Sequence, residues 1–398
     1  MFHPAGSTGE RVDPGTLGHV PVWKVPLLAA EIGPVERDLV AEALASGRVG
    51  TAGPDIDSFE TELERFTGAG AVVAVASASA ALNLALAVLG VQRGDEVLVS
   101  DLARPHAGAA VVAAGAHPCL VDCEPDGWHL DPNLLADELR RRAHRSALPA
   151  AVVCSHLYGS MADVGRIAAT CEDYGVPLVE DATSALGAMV NGVPAGRTGA
   201  LGVLGFDGPE IVTAGTGGAL LSHHVHLVDH ARHLAGRDPH SSVWPDDTEI
   251  VADHRIGNLQ AALGRGQLRT LPQRIDARRR VRNAYERSLG AAPGIRFQAG
   301  PEGVEPNHWL TVVSVDPVLF GATADEVVAA LHAERIDARR AMTPVHMRPA
   351  FAGAERVGGG VAERVAASCV CLPSGAALTE ADVAWIADVL VRARGERA

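Results

Sequence analysis

Ala71-Val72-Val73-Ala74-Val75-Ala76 runs directly into Ser77-Ala78-Ser79-Ala80-Ala81-Leu82. An unbroken apolar run, half of it Val, reads as a strand covered on both faces. The serine that ends it is a good N-cap for the Ala- and Leu-rich helix that follows, over 80–89. Outward from this junction the same alternation repeats. Strands are expected at 96–99, 118–122, 150–154 and 177–181, with helices at 106–114, 132–142 and 163–174 between them. Such alternation predicts an α/β fold with a mostly parallel sheet covered by helices on both faces. Two further strands, 202–206 and its hairpin partner 218–222, bring the sheet to seven. A long helical pattern over 258–290 then links to a small α+β unit. The expected organisation is an N-terminal arm (1–18), a large domain (19–257), the linking helix (258–290) and a small C-terminal domain (291–398).

Composition narrows the function classes. Of 398 residues 47% are hydrophobic and 21% charged, as in ordinary globular proteins. The net charge of −14 argues against nucleic acid or an anionic membrane as partner. No apolar run is long enough to span a bilayer, and the first residues lack the pattern of a signal peptide. The expected location is therefore cytoplasmic, with Cys119, Cys123, Cys154, Cys171, Cys369 and Cys371 as reduced thiols. His226, His230 and His233 share a helix face within a histidine-rich stretch that ends at His240. They have no completing ligand, so no metal is expected.

The order and spacing of several short motifs carry a resemblance. They are Gly53-Pro54 with Phe59-Glu60, Ser77-Ala78-Ser79, Gly94-Asp95-Glu96-Val97, Gly115-Ala116-His117-Pro118, His156-Leu157-Tyr158-Gly159, Glu180-Asp181-Ala182, Gly215 with Gly217-Gly218, Leu259-Gln260-Ala261-Ala262-Leu263-Gly264, and Pro344 with His346. Over about residues 20 to 395 the chain resembles the DegT/StrS family of sugar aminotransferases. The resemblance implies a fold type I aminotransferase-like architecture, pyridoxal phosphate (PLP) as cofactor, a homodimer, and a nucleotide-linked keto-sugar as substrate.

At the positions where that family does its chemistry, this chain departs. The lysine that holds PLP as a Schiff base is matched by Glu210, and the only lysine in the chain is Lys24. A carboxylate cannot condense with an aldehyde. The serine five residues before the lysine is matched by Gly205, and the ring-stacking aromatic residue by Arg104. The polar residue after the aspartate motif is matched by Ser184. The asparagine offered by the neighbouring subunit is matched by Asp253, with Arg255 beside it. Asp181 matches the aspartate that meets the pyridine nitrogen. Ser77 and Ser79 match the phosphate loop at a helix N-terminus, where free N–H groups and the helix dipole favour an anion.

These departures lead to an expectation of no PLP and no pyridoxamine phosphate (PMP). The expected function is a repurposed, PLP-independent enzyme of bacterial specialised metabolism. It would perform acid–base chemistry, such as isomerisation, dehydration or cyclisation, on a small polar or anionic substrate. Its catalytic residues would be Glu210, His106 and Asp181. Substrate would be bound by Arg104, Ser77, Ser79, Ser184, His156, Asp253, Arg255 and His346. Five of these have a structural alternative: a solvated loop for Glu210, a cap for Asp181, a surface arginine for Arg104, a helix-start position for His106 and a strand end for His156. Two other readings stand beside this one. One is a non-catalytic subunit that pairs with an active paralogue. The other is a PMP-dependent sugar dehydratase or aminotransferase relative with Glu210 as base.

Overall fold

A computed structural model describes residues 23–236 and 253–394. The expected N-terminal arm (1–18) and His240 lie outside the described residues. The larger sheet has the order Ala71–Val75, Gly218–Ser222, Leu201–Gly205, Leu178–Asp181, Ala151–Ser155, Glu96–Ser100, His117–Val121, Glu355–Val357. Gly218–Ser222 is antiparallel to both its neighbours, and all the other pairings are parallel. Alternate residues of the strands feed two cores. Val72, Ala74 and Leu98 face one layer, while Val73, Val75, Val97 and Val99 face the other. This two-sided burial is why the strands read as continuous apolar runs.

The seven expected strands are present, and an eighth joins them. Glu355–Val357 pairs in parallel with the edge strand His117–Val121. Three residues with one apolar side chain carry no periodic signal, and Glu355 is held there through Arg142 Nη2, 3.1 Å away. The single helix expected over 258–290 is two helices, Asn258–Arg269 and Leu271–Leu289. Pro272 lacks an N–H, and its ring opposes the carbonyl four residues back, so the chain cannot run through as one helix. The second of these helices packs Val281, Tyr285 and Leu289 into a separate core with Val313, Val370, Leu372, Ile386 and Leu390. The sheet of that core has the order Ile295–Phe297, Thr311–Val315, Cys369–Leu372, Arg339–Arg340 and is antiparallel throughout. Among the described residues, no helix is long and apolar enough to cross a membrane.

Candidate active site

Leu201–Gly205, Leu178–Asp181 and Ala151–Ser155 lie side by side and parallel, so their carboxyl ends open at one edge of the sheet. Ligands of open α/β sheets bind outside such carboxyl ends. Asp181 ends its strand there, in register with Ser155 on one side and Val203 on the other. It is 3% exposed and meets four donors. Thr183 Oγ1 donates to Oδ1 at 2.6 Å and the Thr183 N–H at 3.2 Å. Ser155 Oγ donates to Oδ2 at 3.1 Å, and His106 Nε2 lies 3.0 Å from the same oxygen. Burial pushes the Asp181 carboxyl up, but His106 and the two Thr183 contacts outweigh it and hold the group well below the usual carboxylate range. Asp181 is thus a fixed anion whose acceptor capacity is filled.

Glu210 lies in the loop that joins Leu201–Gly205 to Gly218–Ser222. Its N–H donates to the Asp207 carbonyl at 3.0 Å, closing a tight turn. Pro209 is held from outside, because its carbonyl accepts from Trp309 Nε1 at 2.8 Å. The turn-like sequence is compatible with exposure, yet the Glu210 side chain is only 1% exposed. Arg104 Nη2 lies against its Oε1 as an ion pair. Among the described residues no donor other than Arg104 lies on either Glu210 oxygen. Burial raises the Glu210 pKa to about 7, against the pull of Arg104 and with Asp207 and Asp181 pushing it further. Arg104 stands at the N-cap of helix Pro105–Ala113, with its Cζ 5.1 Å from the centre of the Trp309 ring. Beneath the indole, Arg278 Nη1 donates to the Trp309 carbonyl at 2.6 Å. Burial lowers the Arg278 pKa to about 10, and Glu210 is among the charges that oppose this.

At the other end of the cleft, Ser77 caps helix Ala78–Val88, its Oγ accepting from the Ala80 N–H at 3.1 Å. Ser79 is exposed in the first turn. A Cβ at Gly205 would lie 2.5 Å from Thr183 Cγ2 and 3.2 Å from Ala78 Cβ. Thr183 therefore occupies the space that a serine at 205 would need. Gly205→Ser alone is expected to destabilise the fold by about 1–3 kcal/mol through overpacking. In Thr183→Ala the same change should be tolerated. A double-mutant cycle of urea melts with no coupling between the two sites would contradict this account.

The structure thus gathers Arg104, His106, Asp181 and Glu210, with Ser77 and Ser79 on the adjoining helix start. Other expected substrate-binding residues are placed differently. His156 is buried, accepts the Ala162 N–H on Nδ1 at 3.2 Å, and has Nε2 3.1 Å from Glu180 Oε2. Both its nitrogens are spent on the fold, so its expected role is corrected to a structural one. His346 is corrected likewise. Its Nδ1 lies 2.6 Å from Asp101 Oδ2 and its Nε2 2.9 Å from Glu363 Oε1. Ser184 is buried and its carbonyl accepts from Asn307 Nδ2 at 3.2 Å. Arg255 Nη2 lies 3.7 Å from Glu60 Oε1 of its own chain, while Asp253 is exposed. Trp309, Thr183 and Ser155 were not singled out from sequence. Trp309 lies a hundred residues from the loop it holds, and Thr183 follows a motif that already explains its surroundings. Cys119, Glu138 and Glu355 also converge, but Arg142 pairs with both carboxylates there, and burial pushes the Cys119 thiol up to about 12.

Residues 31–391 match the sequence model of the DegT/DnrJ/EryC1/StrS aminotransferase family. EpsN of Bacillus subtilis (strain 168), provisionally named a pyridoxal phosphate-dependent aminotransferase, is 32% identical over 89% of this chain and 92% of its own length. The dTDP-4-dehydro-2,3,6-trideoxy-D-glucose 4-aminotransferase of Saccharopolyspora spinosa is 31% identical over 91% of this chain and 94% of its own length. The crystal structure of the aminotransferase TlmJ from Streptoalloteichus hindustanus superposes with a TM-score of 0.83 at 28% identity, covering 93% of this chain and 98% of that one. These matches correct the expectation of a site without cofactor. The relatives are aminotransferases along almost their whole length, and one is named for its pyridoxal phosphate. The expectation rests on the departures at Glu210, Gly205, Arg104, Ser184 and Asp253 taken together, whereas Asp181, which matches the family's ring aspartate, is buried and anionic. The chain belongs to the DegT/DnrJ/EryC1/StrS aminotransferase family.

Proposed function

We propose that this chain is an enzyme of sugar-derived secondary metabolism that holds the family's vitamin B6 cofactor by non-covalent contacts alone and acts on the carbonyl of a keto-sugar or a related cyclitol. The observation that carries the reading is Asp181: a buried, anionic carboxylate at the mouth of the sheet, beside a helix start that bears Ser77 and the exposed Ser79. A charged acceptor for a ring N–H and an anion site for a phosphate suit the two ends of that cofactor. The sugar substrate follows from the relatives.

When bound, the cofactor supplies an electron-withdrawing ring and a group that exchanges with a carbonyl. The remaining work falls to the chain. Asp181 Oδ2 would accept the ring N–H, and Thr183 and Ser155 keep that carboxylate oriented. His106 must leave Oδ2 first, because the four donors already present fill the carboxylate. Ser155 and Thr183 are buried, whereas the His106 side chain is 14% exposed and on the cleft side. Glu210 would take up and return a proton on Oε2, the oxygen outside the Arg104 ion pair, at the position where its relatives keep an amine. Arg104 and Trp309 form a flat wall that restricts water.

Titration of pyridoxamine 5′-phosphate into the purified protein, followed by tryptophan fluorescence, tests this reading. Saturable binding is expected. Asp181→Asn should weaken it about 10–100-fold, in line with a lost hydrogen bond to a charged group. His106→Ala should tighten it by a similar factor, since a competing donor has gone. Absence of binding at millimolar cofactor would overturn the proposal.

A further inference from the structure

Glu210 presents an anomaly that the non-covalent reading leaves open. Both its carboxylate oxygens are buried, and among the described residues Oε2 has no donor at all while Oε1 has only the Arg104 ion pair. A buried acceptor without a donor is costly, and for a charged group more so. Arg104 offers only an ion-pair contact, and only to Oε1. The other charges that reach Glu210 are Asp181, Asp207 and Arg278, two anions and one cation. None of these contacts supplies Oε2 with a donor. The backbone of Glu210 is pinned by the Asp207 carbonyl, and the preceding Pro209 carbonyl by Trp309, so the side chain remains at the cleft.

The missing partner is a donor, preferably a cationic one, that enters from the cleft. We propose that Glu210 makes the site selective for the amine form of the cofactor, pyridoxamine phosphate, over the aldehyde form. The inference rests on the non-covalent reading above. An ammonium carries three N–H donors and one positive charge, which match the donor-less Oε2 and the charge of the carboxylate. An aldehyde oxygen only accepts, so it would set an acceptor against a buried carboxylate. A lysine at position 210 would reverse the preference, being a donor that condenses with the aldehyde. The substitution therefore inverts which end of the exchange the protein supplies. The chain provides the acceptor, and the amine arrives on the cofactor.

Three ligands separate the contributions: pyridoxamine 5′-phosphate, pyridoxal 5′-phosphate, and 4-deoxypyridoxine 5′-phosphate, which keeps ring and phosphate but has neither amine nor carbonyl. Dissociation constants are measured by calorimetry on the wild type and on Glu210→Gln, each first shown to melt cooperatively. The wild type is expected to bind the amine form about 10–100-fold more tightly than either other ligand. In Glu210→Gln the three should fall within about 3-fold of one another, with the deoxy ligand bound as in the wild type. If the wild type binds the deoxy ligand and the amine form equally, selectivity by Glu210 is overturned while non-covalent binding stands. If it binds none of the three, both fall.

Discussion

Glu210→Gln is expected to lower turnover by about 10²–10⁴-fold, the range for loss of a positioned general base. The substitution keeps the size of the side chain and leaves Arg104 a neutral oxygen to face, so the architecture of the loop should persist. What it removes is a carboxylate whose pKa of about 7 suits it to take and return a proton near neutrality. The measurement needs a substrate. Screening the protein loaded with pyridoxamine phosphate against nucleotide-linked keto-sugars and keto-cyclitols would provide one. The fall should lie in kcat, because the group acts on the bound substrate and not on its capture. Arg104→Ala should instead act mainly on KM, since Arg104 is the partly exposed cation of the cleft. A Glu210→Gln variant as fast as the wild type would reduce Glu210 to a loop residue left from the loss of lysine.

The residues that define the fold and those that define the site differ in how far the sequence shows them. The sheet was legible because it is buried on both faces, which forces strands such as Ala71–Val75 to be apolar at every position. Glu355–Val357 was not, because an edge strand of three residues needs no such pattern. The helix break at Thr270 rests on Pro272, a signal present in the sequence but submerged in a strong helical run. Position 210 was legible through its frame, and its burial was not. Asp207, Gly208 and Pro209 describe a turn correctly, but a turn does not say that Trp309, a hundred residues on, tethers it over the cleft. His346 is named through its match to the family's cleft, and only the fold brings Asp101 and Glu363 to its two nitrogens. The cofactor was misjudged for a related reason. Gly205 and Arg104 count in the sequence, together with the other departures, as lost contacts, whereas in the fold Thr183 fills the space at 205 and also braces Asp181.

The same Glu210→Gln change is expected to stabilise the protein above neutrality while it disables it. Burial shifts the Glu210 pKa from 4.5 to about 7, so between these values the folded state holds a proton that the unfolded chain has released. Stability from this group is therefore fully present below about pH 4.5 and is lost as pH rises through 7, a loss of about 3 kcal/mol by pH 8. Glutamine has no proton to lose and should escape that penalty. Other groups titrate in the same window. The buried His129, lowered to about 3, and the half-buried His308, lowered to about 4, are neutral imidazoles whose contribution has the opposite sign, gaining stability as pH rises from their folded values toward 6.5. The wild-type curve alone is thus a sum of opposing slopes. The difference between variant and wild type removes the histidine terms and leaves Glu210. Urea melts at pH 5 and pH 8 should show the variant's advantage growing by about 2.5 kcal/mol between them, whatever constant offset the amide's own burial adds. A difference that stays flat across this range would mean that Glu210 is solvated in the folded protein. A solvated carboxylate would also have no orphaned oxygens to offer an amine, so this melt tests the physical basis of the catalytic and selectivity predictions without a substrate or a cofactor.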